Sequence, residues 1–194
     1  MRRLAVILLM SVLSYQISGQ TPVGSWSDHL VYSSAVSVCQ SENEIYASTG
    51  SAILVFNKDY SELKKLTKIN GLTETGISAI GWSQEFKTLV ITYVTANVDL
   101  VKNNSVYNIP DISRKYIPGK KKINRIRING RYAYLACSFG IVVTDIVKNE
   151  IRDTWKPMMS EGNVEVFDIA FGQNKIYAAT SSGVYSADMS NPGL

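Results

Sequence analysis

The apolar residues of this chain fall in short runs that alternate with small or polar residues, and after residue 33 the whole pattern is written four times. Ala35 to Cys39, Ile77 to Trp82, Ile123 to Ile128 and Val166 to Phe171 each alternate over five or six residues, the period of a half-buried strand. A second run follows each of them: Glu44 to Ser48, Thr88 to Val94, Tyr132 to Cys137 and Lys175 to Thr180. Alanine and serine in these runs would let neighbouring sheets approach closely. Third strands are expected at Ile53 to Phe56, Val98 to Val101, Ile141 to Ile146 and Val184 to Ala187. An outer strand is readable in three units, near Leu63 to Ile69, Val106 to Ile109 and Glu150 to Trp155. Ile128-Asn129-Gly130-Arg131 predicts a tight hairpin, with Asn-Gly accepting the positive φ of a type I′ turn.

Alignment on Tyr46, Ile91, Tyr134 and Tyr177 gives spacings of 45, 43 and 43 residues. Six residues beyond each anchor stands a turn residue: Ala52, Asn97, Gly140 and Gly183. A period in the mid-forties with several short strands per unit marks a β-propeller. Each unit is one blade, and stacking against neighbours supplies the core. The fourth unit lacks an outer strand before Asn191-Pro192-Gly193-Leu194, and Ser25 to Tyr32 reads as an unpaired strand ahead of the first. The expected fold is therefore all-β, about four blades of an incomplete ring truncated from a larger propeller. A complete four-bladed ring is the alternative.

Residues 1–19 differ from the rest. Arg2 and Arg3 precede the apolar run Leu4 to Leu13, and Ile17-Ser18-Gly19 offers a small residue for cleavage. That is a secretory signal peptide, which leaves 20–194 as the propeller segment of an exported chain, in the periplasm or at the outer cell surface. Removal of the two arginines leaves 18 basic against 16 acidic residues, so net charge names no partner. Cys39 and Cys137 fall in non-adjacent repeats, and two buried free thiols are expected rather than a disulfide.

Little in the chain looks catalytic. His29 is the only histidine and lies in the flanking strand. No His, Cys or carboxylate cluster suggests a metal, no glycine-rich loop suggests a phosphate cofactor, and no cofactor is implied. Asp99, Asp145, Asp168 and Asp188 are scattered, which suits turn and edge roles. The notable charge feature is the run Arg114 to Arg131, with eight basic residues and no acidic one. It would make a local anion-binding surface, with Lys120, Lys121 and Lys122 as the candidate contacts to acidic glycan or lipid phosphate. Nucleic acid is a poor guess for an exported chain without RNA-binding aromatic patterns. Arg125 and Asp168 stand one repeat apart, in equivalent places of successive first strands, so they are expected to form a structural ion pair that sets blade register.

The motifs also carry a family resemblance. Gly71-Leu72-Thr73-Glu74-Thr75-Gly76-Ile77 resembles a blade junction of secreted Bacteroidetes propellers. The order of Trp26, that junction, Thr92-Tyr93 with Asn97-Val98-Asp99-Leu100, Phe139-Gly140-Ile141-Val142-Val143, and Ala178-Ala179-Thr180 with Gly183 resembles the N-terminal propeller of PorZ-like proteins of the type IX secretion machinery. The resemblance implies a non-catalytic surface component of the attachment complex, with a sortase-type peptidase and outer-membrane proteins as partners and anionic lipopolysaccharide in reach. It also implies a second propeller and a sorting domain that these residues do not contain, so a truncated gene or fragment is expected. The competing functions are the ligand-sensing propeller of a hybrid two-component-type regulator and a carbohydrate-active propeller enzyme. The enzyme would need paired carboxylates at one end of the channel.

Overall fold

The computed structural model describes residues 32–156 and 164–190. Residues 1–19, expected to be a leader, together with Trp26, His29 and residues 191–194, fall outside the described residues. Among the described residues fifteen strands build four antiparallel sheets, each strand paired with its neighbours in sequence. Blade 1 holds β1 (Ser37–Gln40), β2 (Glu44–Ser48), β3 (Ile53–Asn57) and β4 (Glu62–Leu66). Blade 2 holds β5 (Ile77–Ser83), β6 (Thr88–Tyr93), β7 (Val98–Lys102) and β8 (Ser105–Ile109). Blade 3 holds β9 (Ile123–Asn129), β10 (Tyr132–Cys137), β11 (Gly140–Asp145) and β12 (Glu150–Trp155). Blade 4 has three strands, β13 (Val166–Gly172), β14 (Lys175–Thr180) and β15 (Gly183–Asp188). One short helix, α1 (Asp111–Arg114), stands in the connection between blades 2 and 3.

The first strand of each blade is innermost. β1 packs on β5, β5 on β9 and β9 on β13. No comparable packing joins β13 to β1 among the described residues, so the four blades form an open array. This is the incomplete propeller that the repeat pattern predicts.

Three cores lie between the blades. Tyr46, Ile53, Ile80, Ile91 and Tyr93 join blades 1 and 2. Val90, Leu100, Ile126, Leu135 and Val142 join blades 2 and 3. Tyr134, Ile141, Ile169 and Ala178 join blades 3 and 4. Ring pairs reinforce the outer two: Tyr46 stacks on Trp82 at 5.3 Å, and Tyr134 meets Phe171 edge-on at 4.8 Å.

These cores correct the anchor alignment. Tyr46 and Tyr134 point toward the following blade, whereas Ile91 points back at blade 1. Val90 is the residue of blade 2 that points forward. The equivalent positions are Tyr46, Val90, Tyr134 and Tyr177, spaced 44, 44 and 43 residues. A slip of one residue along a strand exchanges its two faces, so the spacing was nearly right while the side was wrong.

The tight turn after β9 forms one residue later than expected. Asn129 pairs with Tyr132, and Gly130 and Arg131 are the centre. Only Gly130 takes positive φ, 54°, which matches the first centre of a type II′ turn rather than type I′. Paired positive φ, as type I′ requires, occurs instead at Asn103-Asn104 and Gln173-Asn174. At Gly140 the chain needs glycine: φ is 129°, and a Cβ would meet the carbonyl oxygen of Trp155 at 2.4 Å. Both cysteines are free; Cys137 is buried as expected, while Cys39 is only half-buried.

Candidate functional site

The basic run occupies two different places. Its first part, residues 114–122, is the connection that leads out of α1, and its second part is strand β9 at the inner edge of blade 3. The three candidate lysines sit together at the end of the connection. Ser138, in the turn after β10, grips that end. Its Oγ donates to the Lys120 carbonyl and accepts from the Lys122 N–H at 3.0 Å, and its own N–H donates to the Lys122 carbonyl at 2.8 Å. Lys120 and Lys122 are exposed. Lys121 is not equivalent to them. It is half-buried, and its ammonium donates to the Ser113 carbonyl at 2.7 Å. The structure thus presents two of the three lysines outward and spends the third on tying the loop to α1.

The inner strands border an axial groove of about 520 Å³. Its polar lining comes from Ser37, Ser78, Asn124, Arg125 and Arg127. Each of β5, β9 and β13 carries a pairing irregularity at its start, next to Ser78, Asn124 and Phe167. A bulge re-aims the extra side chain. Asn124 reaches from there to blade 4, donating to Glu165 Oε1 at 3.0 Å and to the Val166 carbonyl at 2.8 Å.

Asp168 has a different principal partner from the one that the repeat spacing suggests. Arg127 binds it in bidentate fashion, Nε to Oδ1 at 2.9 Å and Nη2 to Oδ2 at 2.7 Å. Arg125 stands off at 4.0 Å. Equal repeat position put Arg125 level with Asp168, but it is Arg127, two residues along the same face of β9, whose guanidinium fork is brought against the carboxylate. The bond to Arg127 holds the Asp168 carboxyl below its ordinary value, against an opposing effect of burial, and holds Arg127 above its own. Arg127 could have been found in the sequence: the alternation Arg125-Ile126-Arg127 puts both arginines on one face of β9.

Two of the carboxylates expected in edge or turn roles, Asp99 and Asp145, are buried. Asp99, in β7, is fully inaccessible. Its oxygens accept from the Thr73 N–H at 2.9 Å, the Thr73 hydroxyl at 2.7 Å, the Tyr93 hydroxyl at 2.6 Å and Asn108 Nδ2 at 2.9 Å. This network fastens the Gly71-Leu72-Thr73 junction to the Tyr93 and Asn97-Val98-Asp99 motifs, which are far apart in the sequence. Burial, followed by the bond to Asp99, keeps the Tyr93 phenol protonated far above its usual range. Asp145 closes β11 and does serve a turn, accepting from the Val147 and Lys148 N–H groups. It also takes a fork from Arg131, 2.5 Å at the shorter arm. Burial pushes its carboxyl up, yet these donors outweigh burial and hold it below the ordinary value. Lys102 of blade 2 reaches the same loop and donates to the Ile146 carbonyl and to Asn149 Oδ1. These groups are saturated by one another, as structural polar clusters are. Among the described residues no three His, Cys, Asp or Glu side chains converge as a metal site. No helix there is long and apolar enough to cross a membrane.

Solved structures with this arrangement are propellers. PorZ of Porphyromonas gingivalis, an essential bacterial surface component of the type IX secretion system, superposes with a TM-score of 0.72 at 25% identity. The match covers 80% of this chain and 21% of that one, so the chain spans about a fifth of its length. Apo AztD from Citrobacter koseri gives a TM-score of 0.57 at 16% identity, over 81% of this chain and 45% of that one. The extracellular domain of a putative hybrid two-component system from B. thetaiotaomicron gives 0.62 at 11% identity, over 77% and 20%. Those two likenesses concern the fold alone. No curated protein sequence matches the chain significantly. A family model described as the PorZ N-terminal beta-propeller domain of the type IX system matches residues 45–192. With that match over most of its length, and with the junction and strand motifs joined through Asp99 as one structural unit, the chain belongs to the PorZ N-terminal β-propeller family.

Proposed function

We propose that this chain is an exported, non-catalytic binding and scaffold module of the type IX secretion attachment complex at the cell surface. The family match over residues 45–192 carries the reading. In that role its partners are a sortase-type peptidase and outer-membrane proteins, and residues 1–19 direct export. The site chemistry is compatible with binding rather than bond breaking. The polar groups at the axial groove are committed to structural contacts, Asn124 to Glu165 and Val166 and Arg127 to Asp168. The basic connection supplies the contact surface: Lys120 and Lys122 face outward to meet phosphate or carboxylate groups of anionic lipopolysaccharide, with Lys121 holding the loop in place.

Two measurements test this. Tagged full-length chain is expected to be accessible to protease on intact cells and to co-purify with the peptidase; retention in the cytoplasm, or purification without it, overturns the reading. Binding to anionic lipopolysaccharide is expected to weaken as salt rises, because exposed charges are screened beyond about 10 Å at 0.1 M. Changing Lys120, Lys121 and Lys122 together to glutamine is expected to reduce it. Unchanged binding removes these lysines from the site.

A further inference from the structure

Beside blade 3 the chain builds a cleft of about 400 Å³ that neither the axial groove nor the three lysines use. Phe139, Val142 and Ile151 of blade 3 form one side, and Ile112 and Ile117 of the connection form the other. Tyr116 stands at the mouth, 88% exposed. Lys115 and Lys156 flank the opening, with Asp111 the one carboxylate in the lining.

The cleft is built, not a slack loop. Helix α1 is closed by backbone bonds from Arg114 and Lys115 to Pro110 and Asp111, and the Ser113 hydroxyl returns to the Pro110 carbonyl at 2.8 Å. Lys121 bonds to the Ser113 carbonyl, and Ser138 grips the far end of the connection. The segment is therefore held at both ends, and between them Ile117 packs against the core that blade 3 shares with blade 2. Ile112 is buried on the blade side, and the neighbouring Arg114, Lys115 and Tyr116 are exposed.

We propose that this cleft docks an extended segment of a partner protein, one that inserts an apolar side chain and places acidic side chains against Lys115 and Lys156. The apolar walls match the first feature, since buried anchors in pockets dominate interface energy. The charge matches the second. The rim lysines outnumber Asp111, and residues 114–131 contain no acidic residue. Opposite charge at a rim steers encounter and selects partners. The proposal is independent of lipopolysaccharide binding by Lys120 and Lys122, which are not in the cleft lining.

The test uses the full chain and a fluorescein-labelled peptide with a central Leu-Phe pair flanked on both sides by Asp and Glu. One control peptide has lysine flanks, and a second has serines in place of Leu-Phe. The acidic apolar peptide is expected to bind at least about tenfold more tightly than either control by anisotropy. Lys115→Glu with Lys156→Glu is expected to weaken it by a similar factor. Thr154→Trp, an exposed change that fills the cleft, is expected to abolish it with the melting temperature unchanged. Binding of no peptide, equal binding of a control, or insensitivity to Thr154→Trp overturns the proposal. Loss of binding to anionic phospholipid vesicles in the same variants, without peptide binding, reassigns the cleft to a membrane surface.

Discussion

Blades 2 and 3 are written in the same repeat as blades 1 and 4, yet the same positions meet different surroundings. Every residue of β6 is buried, as is every residue of β10 except Tyr132. In β14 burial alternates with exposure, and in β2 only Tyr46 and Ser48 are fully covered. Ile141 and Val184 stand opposite Ala136 and Ala179 at one repeat position. Ile141 is 3% exposed and Val184 is 75% exposed. A blade brings two apolar faces, but only neighbours bury them. Stability in such an array is therefore carried by the interfaces rather than by the repeat itself.

The largest test of that contrast changes both residues of the pair. Ile141→Ala is expected to cost about 2–5 kcal/mol, the usual range for truncation in a packed core. Val184→Ala is expected to stay within about 0.5 kcal/mol. Denaturant midpoints of the two variants read the difference, and equal losses would break the comparison. Asp99→Ala asks whether interior blades depend on polar ties as well. It leaves the Thr73 N–H, the Thr73 hydroxyl and the Tyr93 hydroxyl without the acceptor they share, and each unmet buried donor costs about 1–3 kcal/mol. A loss of at least about 2 kcal/mol is expected, with protease cleavage near residues 71–76 increased.

Gly81→Ala probes how closely interior blades approach. A Cβ there would lie 2.9 Å from Ile126 Cγ2, and a branched side chain has little room to yield. A cost of about 1–3 kcal/mol is expected. An alanine that leaves the midpoint unchanged would show that β5 and β9 separate easily. Acid titration then compares the interior Asp145 with Asp168 at the inner edge. Both carboxyls are held below the ordinary value when folded. Their stabilisation is complete above about pH 4 and is lost as the pH falls through the lower folded values. Asp145→Asn is expected to flatten the acid side of the stability profile more than Asp168→Asn, because Asp168 is 36% exposed at its side chain and solvent screens it. The smallest effect belongs to the arginines. A double-mutant cycle of Arg127→Met with Asp168→Leu should give a coupling of about 0–1 kcal/mol, above that measured with Arg125→Met. A larger coupling through Arg125 would reverse the assignment drawn from geometry.

The strands were legible because period-two alternation and turn residues are local signals. Fourteen of the fifteen observed strands begin within a residue or so of the positions expected from the pattern, and β1 begins two later. The face of each residue was less legible. The connection lengths vary between blades, so aligning Ile91 with Tyr46 was plausible by spacing and wrong by side. Partner choice failed for a related reason. Equal repeat position pointed from Asp168 to Arg125, whereas the packing of β9 on β13 brings Arg127, two residues along the same face, to the carboxylate. The burial of Asp99 left no local mark at all, since its four donors come from residues 73, 93 and 108. The cleft beside blade 3 was equally invisible, although the basic run that rims it was plain. A charge run shows that a surface is positive, and only the fold shows that it encloses an apolar space.

The two thiols turn the open array into a clock. Burial pushes both Cys39 and Cys137 up to about 12, so neither offers a thiolate to oxidants or alkylating reagents at neutral pH. Cys137 lies in the core between blades 2 and 3, and Cys39 packs against the core between blades 1 and 2. Modification of Cys137 must wait until its interface parts, whereas the half-buried Cys39 borders the axial groove. The rate at which Cys137 reacts therefore records how often the seam between blades 2 and 3 opens, and the half-buried Cys39 is the one that time reaches sooner.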